Sequence, residues 1–149
     1  MILIHASCVE IDGIGALLRG PPGAGKSDLA LRLIDEGARL VADDQVSVTR
    51  DGDDLVASPP QGLAGLLEVR GLGILRVDHL TSCPLGVVAD LVAAEEIERL
   101  PEPAYAEISG CSLPLARIAP FEASAAAKLR QACAALSERA GNADQMVVP

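Results

Sequence analysis

Gly20-Pro21-Pro22-Gly23-Ala24-Gly25-Lys26-Ser27 follows directly on the apolar run Ala16-Leu17-Leu18 and fills every fixed position of the pattern G-x-x-x-x-G-K-[ST]. Glycines at that spacing let consecutive backbone N–H groups turn inward around a di- or triphosphate. The lysine then reaches the β/γ-phosphates and the hydroxyl after it ligates Mg²⁺. The flanks agree with this reading. Ala16-Leu17-Leu18 reads as the end of a buried strand, and Leu29-Ala30-Leu31-Arg32-Leu33-Ile34 has helical spacing, so the loop stands between strand and helix. A Gly/Pro surface turn that happens to precede Lys-Ser would not bring those flanks with it. The expectation is a nucleotide-dependent function, with Gly20, Pro21, Pro22, Gly23, Ala24, Gly25, Lys26 and Ser27 as the binding loop.

Outward from the loop, Ile2 to Ile11 and Ile14 to Leu18 read as strands around an Asp12-Gly13 turn. Ser27 to Glu36 is the helix on the loop, closed at Gly37, and Ala38 to Ala42 is the next strand. Gln45 to Arg50 and Leu55 to Ala57 form a hairpin, and strand pieces at Leu66 to Val69 and Ile74 to Val77 flank a glycine-rich bend. Leu85 to Leu91 is a further aliphatic strand, Ala94 to Leu100 a short helical turn, and Ser124 to Arg139 a terminal helix rich in Ala and Leu. Many strands and few helices predict an α/β fold whose mixed sheet is more antiparallel than a doubly wound one.

With 149 residues, half of them hydrophobic, one domain with a sizeable core is expected over residues 1–140, followed by a flexible tail over 141–149. That core must be aliphatic, because Tyr105 and Phe121 are the only large aromatics and there is no Trp. Scarcity of stacking platforms argues against single-stranded nucleic acid as a partner, and implies that adenine is gripped by aliphatic and backbone contacts. The net charge of −9 points the same way, since a polyanion is repelled on average while a nucleotide in a local nest of N–H groups is not. Cys8, Cys83, Cys111 and Cys133 are far apart, without metal-ligand spacing, and read as reduced, buried thiols. The N-terminus lacks a signal-peptide pattern, and no apolar stretch approaches membrane-spanning length. A cytoplasmic, soluble protein without a membrane partner is therefore expected.

Asp43 and Asp44 end the strand that follows the loop helix, where open α/β sheets place groups that face a ligand. On extended backbone the two carboxylates point to opposite sides, one toward the phosphates and the other toward Mg²⁺ water or a structural partner; a solvated strand-end turn is the bland alternative. In Glu68-Val69-Arg70-Gly71-Leu72-Gly73-Ile74, Glu68 is a candidate Mg²⁺ ligand and Arg70 a phosphate clamp, although a surface Glu-x-Arg pair around a bulge explains the run equally well. His5 sits on a predicted strand, where a lone histidine is more often packed than catalytic.

Taken together, these pieces resemble the catalytic domain of HPr kinase/phosphorylase, the bacterial enzyme that phosphorylates a serine on HPr, the phosphocarrier of the sugar phosphotransferase system. The resemblance is carried by Ile4-His5, by Asp12-Gly13-Ile14-Gly15 leading into the loop, by Leu40-Val41-Ala42-Asp43-Asp44, and by Leu67-Glu68-Val69-Arg70-Gly71-Leu72-Gly73-Ile74. It is strong to about residue 78 and looser to about 120. It implies a P-loop kinase core of the HPr kinase and PEP-carboxykinase type, with ATP and Mg²⁺ as cofactors and an HPr-like phosphocarrier as partner. It also implies a homo-oligomer, hexameric in the family. Residue by residue, it implies that Lys26 binds the β/γ-phosphates, that Ser27 and Glu68 hold Mg²⁺, and that Asp43 takes the proton from the acceptor serine. His5 becomes an active-site residue near the phosphates, Arg99 in Ile97-Glu98-Arg99-Leu100 the later active-site arginine, and Asp44 and Arg70 members of the same site.

Two departures shape the expected activity. The chain starts at the catalytic domain, like the short form of some proteobacteria. Where the family carries P-V-R-P-G-R-N, linked to phosphorolysis, Leu115-Ala116-Arg117-Ile118-Ala119-Pro120-Phe121-Glu122 stands instead, with Arg117 its one basic residue. Kinase activity with weak or absent phosphorylase activity is expected. A small-molecule P-loop kinase and a non-catalytic nucleotide sensor are the rival readings.

Overall fold

The structure, a computed structural model, describes residues 1–141. In chain order its strands are β1 (Ile2–Ile4), β2 (Ala6–Ile11), β3 (Ile14–Arg19), β4 (Arg39–Ala42), β5 (Val46–Asp51), β6 (Asp54–Ser58), β7 (Leu66–Val69), β8 (Gly73–Arg76), β9 (Cys83–Leu91), β10 (Ala104–Ile108) and β11 (Cys111–Ile118). Helix α1 (Lys26–Asp35) separates β3 from β4, and α2 (Ala125–Gly141) follows β11.

The β2–β3 hairpin is the frame on which the rest assembles. Around the Asp12-Gly13 turn it pairs antiparallel from Ile11↔Ile14 to Ala6↔Arg19, and β4 pairs along the other edge of β2. On its outer side β3 pairs in parallel with β9, which pairs in parallel with β11, which closes as a hairpin with β10. The central strands therefore run β10-β11-β9-β3-β2-β4, mixed in direction as the composition of elements suggests. Strands β1, β5 and β6 continue the sheet from the first residues of β9, through Ala57↔Cys83 and Val56↔Pro84.

Side-chain alternation along the central strands divides the core into two apolar layers. Val9, Ile11, Ala16 and Leu18 point to one face and pack with Leu29 and Leu33 of α1 and Leu129 of α2. Cys8, Leu17 and Val88 point to the other and pack with Val46, Val48, Leu55 and Ala57 of the β5–β6 hairpin. Coverage on both faces buries β2 along its whole length and β3 except at its two end residues.

The parallel set decides where the site forms. Because β3, β9 and β11 run the same way, their C-terminal ends come out on one edge, which brings the phosphate loop after β3 beside the segment after β11. Arg19 and Asp90, at the ends of β3 and β9, lock that edge with a bidentate pair at 2.7 and 3.0 Å.

The structure corrects the sequence reading in four places. The strand expected from Ile2 to Ile11 breaks at His5, so that β1 pairs with β5 instead of extending β2. Asp43 and Asp44 are not extended, because β4 ends at Ala42 and Asp44 adopts φ 68°. The helical turn expected over Ala94 to Leu100 is a short 3-10 turn, Ala94–Glu96. Strands β10 and β11 stand where no element was expected. Of the tail expected over 141–149, residues 142–149 lie outside the described residues.

Candidate active site

The loop leaves β3 at Arg19 and enters α1 at Lys26, with Gly25 as the helix N-cap. Gly25 has φ 98°, and a Cβ there would come within 3.1 Å of the Phe121 ring, so backbone hand and close approach both require glycine. Its carbonyl accepts the Leu29 N–H at 2.9 Å as the first helical bond, and a helix start, whose first N–H groups have no partner within the helix, is a ready anion site. The Lys26 ammonium, largely buried, turns back onto the loop and donates to Gly20 O at 2.7 Å and Pro21 O at 3.2 Å.

Asp43 is the hub of the arrangement. Its Oδ1 accepts from the Ser27 hydroxyl at 2.7 Å and from the Ser7 hydroxyl at 3.0 Å, and its Oδ2 accepts the Glu68 N–H at 3.0 Å. One carboxylate thus joins the start of α1, the start of β2, the end of β4 and strand β7. The Ser7 oxygen in turn accepts the Asp44 N–H at 3.1 Å, which fixes the left-handed residue next door. The outcome is a division of labour between neighbours. Asp43 is satisfied from within, whereas the Asp44 carboxylate, 63% exposed, lies open to the cleft with His5 Nε2 at 3.9 Å.

The cleft has a volume of about 520 Å³ and is lined by loop residues including Gly23, Lys26 and Ser27, by Asp44 and Glu68, and by Arg70 and Phe121. The structure therefore gathers most of the residues singled out in the sequence: the phosphate loop, the Asp43-Asp44 pair and the Glu68-to-Arg70 strand. His5 meets the cleft through Asp44, from the break between β1 and β2. Arg99 is exposed between the 3-10 turn and β10 and is not among the residues that line the cleft. Sequence reasoning missed Ser7, which lies fully buried in a polar role inside an apolar strand, and Phe121. A buried serine among Ala6, Cys8 and Val9 was the available signal for the first.

Ser27 and Glu68 both line the cleft, and a hydroxyl with a carboxylate is an all-oxygen, partly anionic pair that fits Mg²⁺, an ion that takes few protein ligands and fills its shell with phosphate and water. Among the described residues no group of three or more His, Cys, Asp or Glu side chains forms a dedicated metal cage.

Comparison with known proteins agrees with this architecture. Residues 1–119 match the family described as HPr Serine kinase C-terminal domain. The HPr kinase/phosphorylase of Exiguobacterium sp. is 47% identical over 78 residues, which are 52% of this chain and 25% of that protein. That of Peptoclostridium acidaminophilum is 50% identical over 78 residues, again 52% of this chain and 25% of its own. The chain spans about a quarter of the length of these curated relatives. Among solved structures, the Hpr(Ser) kinase/phosphatase from Coxiella burnetii matches with a TM-score of 0.84 at 25% identity, over 97% of this chain and 95% of that one.

Proposed function

The chain belongs to the HPr serine kinase C-terminal domain family, and from that premise we propose that it is an ATP- and Mg²⁺-dependent protein serine kinase acting on HPr or a paralogous phosphocarrier. The observation that carries the proposal is the placement of a phosphate loop and two unlike carboxylates on one cleft: Asp43 bonded to the loop hydroxyl of Ser27, and Asp44 open beside it.

In this reading residues 1–140 form one P-loop kinase domain, of the type also seen in PEP carboxykinases. The backbone N–H groups of Gly20 to Ser27 and the Lys26 ammonium bind the ATP phosphates. Ser27 and Glu68 would hold Mg²⁺, which when bound would neutralise charge on the transferring phosphoryl group. Arg70 stands at the cleft as a second cation for the phosphates. The proton of the acceptor serine goes to a carboxylate, and the geometry favours Asp44 over Asp43 for that role. Asp44 lines the cleft, whereas Asp43 Oδ1 already takes two hydrogen bonds and Oδ2 one, which leaves Asp44 the freer acceptor. His5 stands beside Asp44, its Nε2 3.9 Å from the carboxylate. The reading gives Arg99 no role in the chemistry.

The segment Leu115 to Glu122 supports a kinase with weak or absent phosphorylase activity, because phosphorolysis needs an anchored inorganic phosphate and Arg117 is its only cation. Homo-oligomerisation, hexameric by family resemblance, and a cytoplasmic location belong to the same proposal; among the described residues no helix is long and apolar enough to cross a membrane. Incubation with γ-labelled ATP, Mg²⁺ and HPr, or its nitrogen-system paralogue, should place label on a serine of the phosphocarrier. Turnover of small acceptors with no labelling of either carrier would overturn the proposal.

A further inference from the structure

We infer that Phe121 is the platform on which the base of the bound nucleotide stacks; the inference rests on the nucleotide site proposed above. The aliphatic grip on adenine that the composition suggested gives way to an aromatic one, because the chain's single phenylalanine is spent at the cleft and not in the core.

Several observations converge on this ring. Phe121 is 73% exposed, yet its ring edge lies so close over the loop that a Cβ on Gly25 would meet Cε1 and Cζ at 3.1 Å. Its position is clamped on both sides. Arg32 of α1 donates to the carbonyls of Pro120 and, at 3.3 Å, Glu122, and is itself held by Asp28 at 3.0 Å. Glu122 pairs in turn with Lys128 of α2 at 3.2 Å. An open apolar ring held in place by charged clamps at the edge of a phosphate loop is a built surface. The strand topology explains how it arrives there, since β11 runs parallel to β9 and β3 and delivers the residues after Ile118 to the loop edge.

The chemistry matches a nucleoside triphosphate at both ends. The anionic chain suits the loop N–H groups and Lys26, and the flat base suits an aromatic face next to Leu31, which lines the same cleft. An acceptor serine has no comparable use for a ring. Stacking is tolerant of base identity because every base has a π face, so the platform should serve ATP and GTP alike.

Calorimetric titration of the full chain with ATP, GTP and inorganic tripolyphosphate, each with Mg²⁺, separates the base from the phosphates. Phe121→Ala should weaken ATP and GTP about tenfold and leave tripolyphosphate within about twofold, while Phe121→Tyr should restore both nucleotides. Melting curves of the variants check that the exposed substitution leaves the fold intact. Equal loss of ATP and tripolyphosphate would make the ring a support for the loop and overturn the inference. Undiminished ATP affinity, with or without a raised KM for the phosphocarrier, would also overturn it, the raised KM pointing to an acceptor contact. Failure of the unaltered chain to bind either ATP or tripolyphosphate would instead defeat the nucleotide-site reading beneath it.

Discussion

The Ser27 hydroxyl donates to Asp43 Oδ1 across 2.7 Å, and the same oxygen receives the Ser7 hydroxyl at 3.0 Å. This ties the first turn of α1 to β2 through a single carboxylate. Removing the acceptor leaves two hydroxyls and the Glu68 amide without it, at the full desolvation penalty of whichever stays buried. Asp43→Ala should cost about 1–3 kcal/mol in urea denaturation and weaken the Mg²⁺ dependence of ATP binding. Unchanged stability would show that the hub is not structural.

Ser7 supports the same hub from below, fully buried, and passes its oxygen to the Asp44 N–H at 3.1 Å. Ser7→Ala should lower stability by about 1 kcal/mol and lower kcat more than it raises the KM for ATP, because it frees the backbone of Asp44. A loss confined to KM would contradict this positioning role.

Glu10 is nearly buried and accepts the Gly13 N–H at 3.0 Å and two bonds from Arg39, at 2.6 and 3.0 Å. The Gly13 bond foremost, with Arg39 behind it, holds the carboxyl below its ordinary value against the opposing effect of burial. Folding therefore favours the ionised form, and the resulting stability is present above the ordinary glutamate range and lost as pH falls through the lower folded value. In urea denaturations across the acid range, the gap between the unaltered chain and Glu10→Gln should narrow as pH falls. A gap independent of pH would contradict the assignment.

Burial pushes the Cys133 thiol up to about 12 and Cys83 to about 11, and raises Cys8 well above the ordinary value. These thiols stay protonated and poorly nucleophilic in the native chain. Ellman's reagent at pH 8 should react slowly until denaturant is added, after which four equivalents appear. Raised thiol values also make stability fall as pH rises from the ordinary thiol range toward the folded values, because only the unfolded chain ionises there.

What the sequence made legible was the chemistry with local grammar. The loop, its helix, the Asp12-Gly13 hairpin and the β7–β8 hairpin follow from glycine placement and apolar spacing over a few residues. The β10–β11 hairpin did not, because Pro114 interrupts its second strand and proline reads as a break. It is tolerated because β11 meets β9 only from Leu115 onward, so no ladder to β9 requires the Pro114 N–H. Missing that strand hid the path that carries Phe121 to the loop. The local geometry of Asp43 and Asp44 was equally hidden, since adjacent identical residues carry no mark of which one a buried Ser7 and a left-handed φ will turn inward.

The most direct test of the proposed function is single-turnover transfer from γ-labelled ATP to HPr by Asp44→Asn. The variant should bind ATP within about twofold of the unaltered chain, keep its fold, and transfer label about 10²- to 10⁴-fold more slowly, as expected for loss of a general base. Transfer by Asp44→Asn at the unaltered rate would contradict the assignment of Asp44, and absence of transfer to HPr or its paralogue by the unaltered chain would contradict the kinase itself.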